Sequence, residues 1–288
     1  MKIYISADLE GVNGIMHSSQ TQPGEPGYER SISLMHQELA AVVEGIYSAG
    51  NVSDIFVADA HWDGRNLRTD MLPAGVTLCS GWQRPFSMMA GVGGDVGSKQ
   101  LVDKGFDGVF FLGYHARAGV ACGVLSHTYR SQVFLDVQIN GVSVGETGLN
   151  AALAGHFGVP IAFLSGDDTA CAEALELLGP LTTVTVKKAI SRYSAVMLPQ
   201  AESQEALRHG AAEAMRKRDN WSVFRVPSPS TLSLTMIDPA MADAAELLPE
   251  VKRKSDRSVE LSHEDFSVLF RLFLAIGALA ASRRDPYF

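Results

Sequence analysis

Asp8 and Glu10 stand two residues apart at the end of the opening segment MKIYISADLEG. Ile3, Ile5 and Ala7 alternate with Tyr4, Ser6 and Asp8, which is the period of a β-strand. Residues two apart in extended chain point to the same side, so both acids can reach one point just beyond the strand. Two anions placed there cost free energy unless a cation sits between them. Taken alone, the pair reads equally well as a solvated strand end followed by a turn glycine, Gly11. Similar groups recur, however. Asp59 and His61 follow the apolar run Asp54–Asp59, His115 follows Gly108–Gly113, Asp167 and Asp168 follow Pro160–Ser165, and Glu146 opens a predicted helix.

The elements that must position these residues alternate along the first two-thirds of the chain. Ile32, Met35, Leu39, Val42 or Val43, and Ile46 recur at helical steps, with Gly50 as the stop. Gly75–Ser80 reads as a further strand, and Val133–Val144 as a hairpin around Asn140-Gly141. The helix opened by Glu146 runs over Thr147–Phe157, and another ends near Leu178. Alternating strands and helices imply a three-layer αβα fold around a mainly parallel sheet. Sites in such sheets form beyond the carboxyl ends of the strands, which is where four strands carry metal-competent groups. From about Thr183 the texture changes to strand-like Val184–Ile190, a helix near Ala201–Lys217, strand-like Ser222–Val226 and Thr231–Ile237, a short helix and a terminal helix. The expected division is a catalytic α/β domain over 1–183 and a smaller α+β domain over 184–288 for packing and assembly. Gly91–Gly97 is glycine-dense but does not fit a dinucleotide-binding loop, because Val96 stands at the last glycine place; a flexible loop is expected.

Bulk properties narrow the function classes. The chain has 288 residues, 46% hydrophobic and 19% charged, a composition that supports a sizeable core. Its formal charge is −8, from 24 basic and 32 acidic residues. The longest basic clusters are Lys187-Lys188 and Lys252-Arg253-Lys254, which argues against a nucleic-acid partner. Asp8 and Glu10 break the apolar run that a leader would need. Phe266–Ala281 carries Arg271 and leaves too short an uncharged stretch to span a bilayer, so no membrane partner is expected. Cys79, Cys122 and Cys171 are widely spaced, without a Cys-x-x-Cys pair. Neither a disulfide framework nor a thiolate metal site is indicated, and a cytoplasmic location fits.

Two histidines with several carboxylates and no thiolate suit zinc, with manganese or cobalt as rivals. A mononuclear site needs three or four ligands; Asp8, Glu10, His61, His115 and Glu146 make five candidates, which favours two metals sharing a bridging carboxylate. Paired metals acidify bound water and polarise a carbonyl, the chemistry of amide hydrolysis. Each residue also has an ordinary explanation. A lone histidine after a strand is more often hydrogen-bonded and structural, and Glu146 would interact favourably with a helix N-terminus. Asp167 and Asp168 suit an N-cap and its neighbour, and His127 sits in a Gly/Ala-rich loop. His17, His36, His156, His209 and His263 have no partner that the sequence identifies.

Five stretches together resemble the ordered motifs of the zinc D-aminopeptidases associated with dipeptide-transport operons. They are Ser6–Gly11, Asp59–His61, Phe111–Ala116, Ser126-His127 and Gly145–Asn150; Pro85–Met88 and Ser165–Asp168 are also similar. The resemblance runs from Met1 to about Arg192. It implies two Zn2+ ions per subunit, with Asp8 bridging them, Glu10 and His61 completing one shell, and His115 and Glu146 the other. It implies a catalytic, nucleophile-like role for His127, short peptides with N-terminal D-residues as substrates, and a ring-like homo-oligomer. A metal-activated hydroxide is the better nucleophile at neutral pH, so His127 reads as a proton shuttle or transition-state stabiliser. The Val12–Gly27 and Gly91–Asp103 segments depart from the family pattern and bear on substrate choice. Two other readings remain: an amidohydrolase for non-peptide or L-residue substrates, and a non-catalytic metal- or peptide-binding protein linked to transport.

Overall fold

The computed structural model describes residues 1–96, 99–100 and 105–282. In chain order its elements are β1 (Lys2–Ala7), α1 (Tyr28–Ser48), β2 (Asp54–Asp59), β3 (Val76–Cys79), β4 (Asp95–Val96), β5 (Lys99–Gln100) and β6 (Gly108–Tyr114). β7 (Phe134–Ile139), β8 (Val142–Ser143), α2 (Glu146–His156), β9 (Ile161–Asp167), α3 (Asp168–Leu178), β10 (Thr182–Ser191) and β11 (Ser194–Met197) follow. The remainder is α4 (Gln200–Arg216), β12 (Ser230–Met236), α5 (Pro239–Ala245), β13 (Lys252–Ser255), β14 (Ser258–His263) and α6 (Phe266–Ala281).

Seven strands form the main sheet in the order β11-β10-β9-β6-β1-β2-β3. Every neighbouring pair is parallel except β10 with β11. The core strands are apolar on both faces because both faces are covered. Ile3 and Ile5 of β1 pack with the α1 stripe Ile32, Met35, Leu39, Val42, Val43 and Ile46 and with Leu207, Ala211 and Met215 of α4. Tyr4 of β1, with Phe111 and Tyr114 of β6, faces the other way, into a cluster shared with α2 and α6. The result is the expected three-layer α/β arrangement. α1 stops at Ser48, two residues before Gly50, with Ala49 closing its last turn on Ile46 O.

A second, antiparallel sheet runs β13-β14-β12-β7-β8. Asn140 and Gly141 both adopt left-handed backbone (φ 50° and 83°), as a two-residue hairpin between β7 and β8 requires. α6 lays Phe266, Leu269, Phe270, Phe273 and Ile276 into the core and leaves Arg271 outside. The two sheets do not divide at residue 183. β10 and β11 complete the main sheet, whereas β7 and β8 belong to the second one. A boundary read from texture missed this because β7–β8 is a local hairpin whose partner strand, β12, lies far along the chain. Ser222–Val226 forms no strand; it runs along α2, where Phe224 and Val226 pack against the core and Arg225 donates to Gly155 O. β11, β13 and β14 are short strands that the sequence reading did not separate. Of the glycine-dense segment, Gly91–Gly94 forms turns; Gly97, and with it part of Gly91–Asp103, lies outside the described residues. Among the described residues, no helix is long and apolar enough to cross a membrane.

Register is what positions the site. Ala7 pairs with Asp59 on one side and Leu112 on the other. The chain therefore leaves β1, β2 and β6 at one level, with Asp8, Ala60-His61 and Tyr114-His115 all at that edge.

Candidate metal centre

Asp8 leaves β1 with its amide donated to Leu112 O of β6, and Gly11 N donates to Gly113 O. The chain stays against β6 for one more turn, which carries Glu10 back over the edge. No side chain fits at Gly11: a Cβ would lie 2.1 Å from Tyr114 O. His61 follows β2 by two residues, His115 is the first residue after β6, and Glu146 is the first residue of α2. His127 comes from the loop between β6 and β7.

These six side chains converge. Asp8 Oδ1 is 3.4 Å from His61 Nδ1, and Asp8 Oδ2 is 3.5 Å from His115 Nε2. His61 Nδ1 is 2.9 Å from Glu10 Oε2, His115 Nε2 is 3.4 Å from Glu146 Oε2, and His127 Nε2 is 3.7 Å from Glu146 Oε1. All are buried except His127, whose side chain is 17% exposed and marks the open side of the cluster.

Each ring is oriented by a backbone carbonyl. His61 Nε2 bonds Thr21 O (2.7 Å), His115 Nδ1 bonds Ala116 O (3.0 Å) and His127 Nδ1 bonds Leu125 O (2.8 Å). A nitrogen that donates to a carbonyl leaves the opposite nitrogen's lone pair for a cation or a proton. Those opposite nitrogens all face the carboxylates.

The electrostatics describe a site short of positive charge. Burial, then the neighbouring Glu10, pushes Asp8 up to about 7. Burial would also raise Glu10 and Glu146, but the imidazoles of His61 and His115 respectively outweigh it and hold both below the usual range. His61 and His115 are correspondingly raised by the carboxylates in spite of burial. A proton or a divalent cation at His61 Nδ1 and His115 Nε2 would offset the acids, and binding a metal there would release protons.

Hydrogen bonding points the same way. Asp8 Oδ2, Glu10 Oε2 and His115 Nε2 are buried with no hydrogen-bond partner. Glu10 Oε2 is close to His61 Nδ1 but lacks hydrogen-bond geometry, so that contact is an ion pair. Asp8, Glu10 and His115 offer ligand atoms within 4.8 Å of one another, and so do His115, His127 and Glu146. Two groups sharing His115, with oxygen and imidazole donors and no thiolate, fit a borderline divalent ion.

The other strand-end acids brace the site from behind. Asp59 accepts from Asn66 N (2.6 Å), Leu67 N (2.7 Å) and Asn66 Nδ2 (2.8 Å), and Asn66 Nδ2 also reaches His61 O (2.6 Å). Asp167 is the N-cap of α3, accepting from Ala170 N and from Val124 N in the loop that carries His127 (both 2.7 Å). Asp168, its neighbour, accepts from Ala189 N. His36 accepts from Arg68 N, His17 caps a short turn, and His156 lies 3.4 Å from Asp265. The three cysteines are free.

Sequence reasoning missed several supports. Tyr129 N donates to Glu146 Oε1 (2.7 Å), fixing that carboxylate. A buried chain of hydrogen bonds runs from Tyr129 through Asn150 and Tyr114 to Ser6. Asn150 stands one helical turn after Glu146 on α2, the one signal in the sequence that it faces the same way. Thr21 acts through its carbonyl, which leaves no signal in a side-chain pattern.

Comparison with known proteins agrees in extent and in kind. A family model described as D-aminopeptidase matches residues 1–275. A D-aminopeptidase of Bacillus subtilis (strain 168) is 33% identical over 283 residues, covering 97% of this chain and 98% of the relative. The solved structure described as the Zn-dependent D-aminopeptidase DppA from Bacillus subtilis, a self-compartmentalizing protease, superposes with a TM-score of 0.91 at 32% identity, covering 99% of each chain.

Proposed function

The chain belongs to the D-aminopeptidase family, and we propose that it is a dinuclear zinc enzyme releasing N-terminal D-residues from short peptides. The observation that carries this reading is Asp8, whose two carboxylate oxygens face two different imidazoles at 3.4 and 3.5 Å. In this reading Asp8 would be shared between two ions, with Glu10 and His61 available to hold one and Glu146 and His115 the other. Zinc is the ion because the donor set suits it and the matched Bacillus subtilis structure is described as Zn-dependent. When bound, paired zinc ions supply Lewis acidity, which acidifies water and polarises a carbonyl.

The protein's own groups do the rest. His127 anchors its Nδ1–H on Leu125 O and presents Nε2 at the open side of the cluster. There it accepts a proton from the attacking water and returns it to the departing amine. Tyr129 N holds Glu146 Oε1, the oxygen 3.7 Å from His127 Nε2, and so fixes that carboxylate with Oε2 towards His115. The relative described as self-compartmentalizing supports a homo-oligomer with its sites facing an enclosed space. Three free cysteines are compatible with a reducing cytoplasm.

Metal analysis together with a panel of D- and L-aminoacyl amides and dipeptides tests the proposal. Two zinc ions per chain with turnover confined to D-residues is the expected result. Turnover of L-residues or of non-peptide amides would redirect the substrate assignment, and metal without turnover would mark a binding protein.

A further inference from the structure

Among the described residues, Lys187 is the one lysine in the group of largest fully buried side chains, 1% exposed in the middle of β10. A strand lysine ordinarily points to solvent, as its neighbour Lys188 does. A register shift against β9 between Thr185 and Lys187 sets two consecutive residues, Val186 and Lys187, inward. The side chain then passes beneath the metal centre. Its ammonium donates to Glu10 O (2.5 Å), Val12 O (2.8 Å) and Ile15 O (2.7 Å). An ammonium has three donors, and all three go to the backbone of the loop that carries Glu10.

That loop is wound around the charge. Val12 N turns back to Leu9 O, Ile15 N turns back to Val12 O, and Gly14 takes a left-handed conformation (φ 87°). Glu38 of α1 holds the intervening Asn13 N at 2.9 Å. Three carbonyl dipoles converging within a buried region that already contains Asp8 and Glu10 repel one another unless a cation stands among them.

We propose that Lys187 is a positioning residue for the metal centre: its ammonium is a built-in monovalent cation around which the Glu10–Ile15 loop is set, holding the Glu10 carboxylate on His61 Nδ1. The inference rests on the reading of Glu10 as a metal ligand. It gives the second half of the chain a direct part in the site, through the backbone of a ligand.

The test uses the full-length variants Lys187→Met and Lys187→Ala. Zinc affinity is measured by competition with a chromophoric chelator, alongside kcat, KM and thermal unfolding. Lys187→Met should bind one zinc ion about 10- to 100-fold more weakly, the usual effect of losing a group behind a ligand, and kcat should fall more than KM rises. Lys187→Ala leaves room for a small cation. Ammonium chloride should restore its zinc affinity and kcat saturably, whereas tetramethylammonium chloride at equal ionic strength, which has no N–H to donate, should not. Wild-type zinc affinity in both variants with only a lower melting temperature would overturn the proposal, reducing Lys187 to a brace. Should Lys187→Ala fail to fold in sodium chloride, Lys187→Met decides: one zinc ion bound more weakly with the fold retained supports the proposal, and wild-type zinc affinity contradicts it. Glu10→Gln separates the two levels. Full zinc affinity there removes Glu10 from the ligand set whatever Lys187 does, while a lost ion there with none lost in Lys187→Met sinks the positioning role alone.

Discussion

His127 lies face to face with His115, ring centroids 4.1 Å apart and planes 11° apart. Two imidazoles stacked this closely, one buried and one partly so, cannot both carry a proton at low cost. Burial, then the charge on His115, holds the pKa of His127 below its ordinary value. In the proposed site His115 would donate to a cation, leaving His127 to exchange a proton at Nε2. Replacing His127 by Ala should lower kcat by about 10²–10⁴-fold while the metal content of the purified protein stays at the wild-type level. A parallel loss of metal would make His127 a ligand instead, and an unchanged rate would remove it from the mechanism.

Asp59 supports the site without touching the cluster. Its carboxylate accepts two backbone amides and the Asn66 side chain, and Asn66 reaches His61 O. Asp59→Ala strands buried donors, at about 1–3 kcal/mol each. It should also free the segment that orients His61, lowering zinc affinity about 10- to 100-fold. Urea unfolding and a zinc competition assay should move together. A stability loss with unchanged zinc affinity would mean that the Thr21 O bond alone orients the ring.

Glu38 gives a pH signature away from the candidate metal ligands. It is fully buried, and burial pushes its pKa up to about 7 against the opposing bonds from Asn13 N and Ser203. The folded protein therefore holds this proton more tightly than the unfolded chain does. Between about pH 4.5 and 7 the unfolded state has lost the proton while the folded state keeps it, so this group's contribution to stability falls as pH rises through that window. The loss amounts to about 3 kcal/mol at roughly 1.4 kcal/mol per pH unit. Glu38→Gln should flatten the decline and be more stable than wild type at pH 8, measured by denaturant unfolding of both proteins free of metal. An unchanged slope would place the titration elsewhere.

Gly11 tests how closely β1 must follow β6. The contacts a Cβ would meet are the backbone oxygens of Tyr114 (2.1 Å) and Gly113 (2.5 Å), neither of which can move aside independently. Gly11→Ala should separate the ends of the two strands, costing about 1–3 kcal/mol and weakening zinc uptake, because Asp8 and His115 sit on opposite sides of the separation. Unfolding and metal titration of the same preparation read both effects.

The strand-end part of the site was legible because parallel register does the assembling. Ala7, Asp59 and Leu112 align, so acids and histidines just beyond them had to meet. Glu146 and His127 were less so. One opens a helix and the other lies in a loop, where no periodicity fixes direction, and only the resemblance pointed to His127. The Asn140-Gly141 hairpin was plain from its turn chemistry, but its membership in a second sheet depends on pairing with β12, which no local pattern encodes. Lys187 was hidden for a related reason: the register shift that turns it inward is a tertiary event, and Lys187-Lys188 reads as a solvated pair. The supports that act through backbone atoms, Thr21 O and Tyr129 N, leave no mark on side-chain identity.

The most direct test of the account is the number of zinc ions taken up per chain by metal-free wild type and by Asp8→Asn. A carboxylate whose two oxygens face His61 and His115 can serve two ions, whereas a neutral amide bridges two cations poorly. The account predicts two ions for wild type and one or fewer for Asp8→Asn, with hydrolysis of D-aminoacyl amides lost in step. Two ions bound with wild-type affinity by both proteins would contradict it.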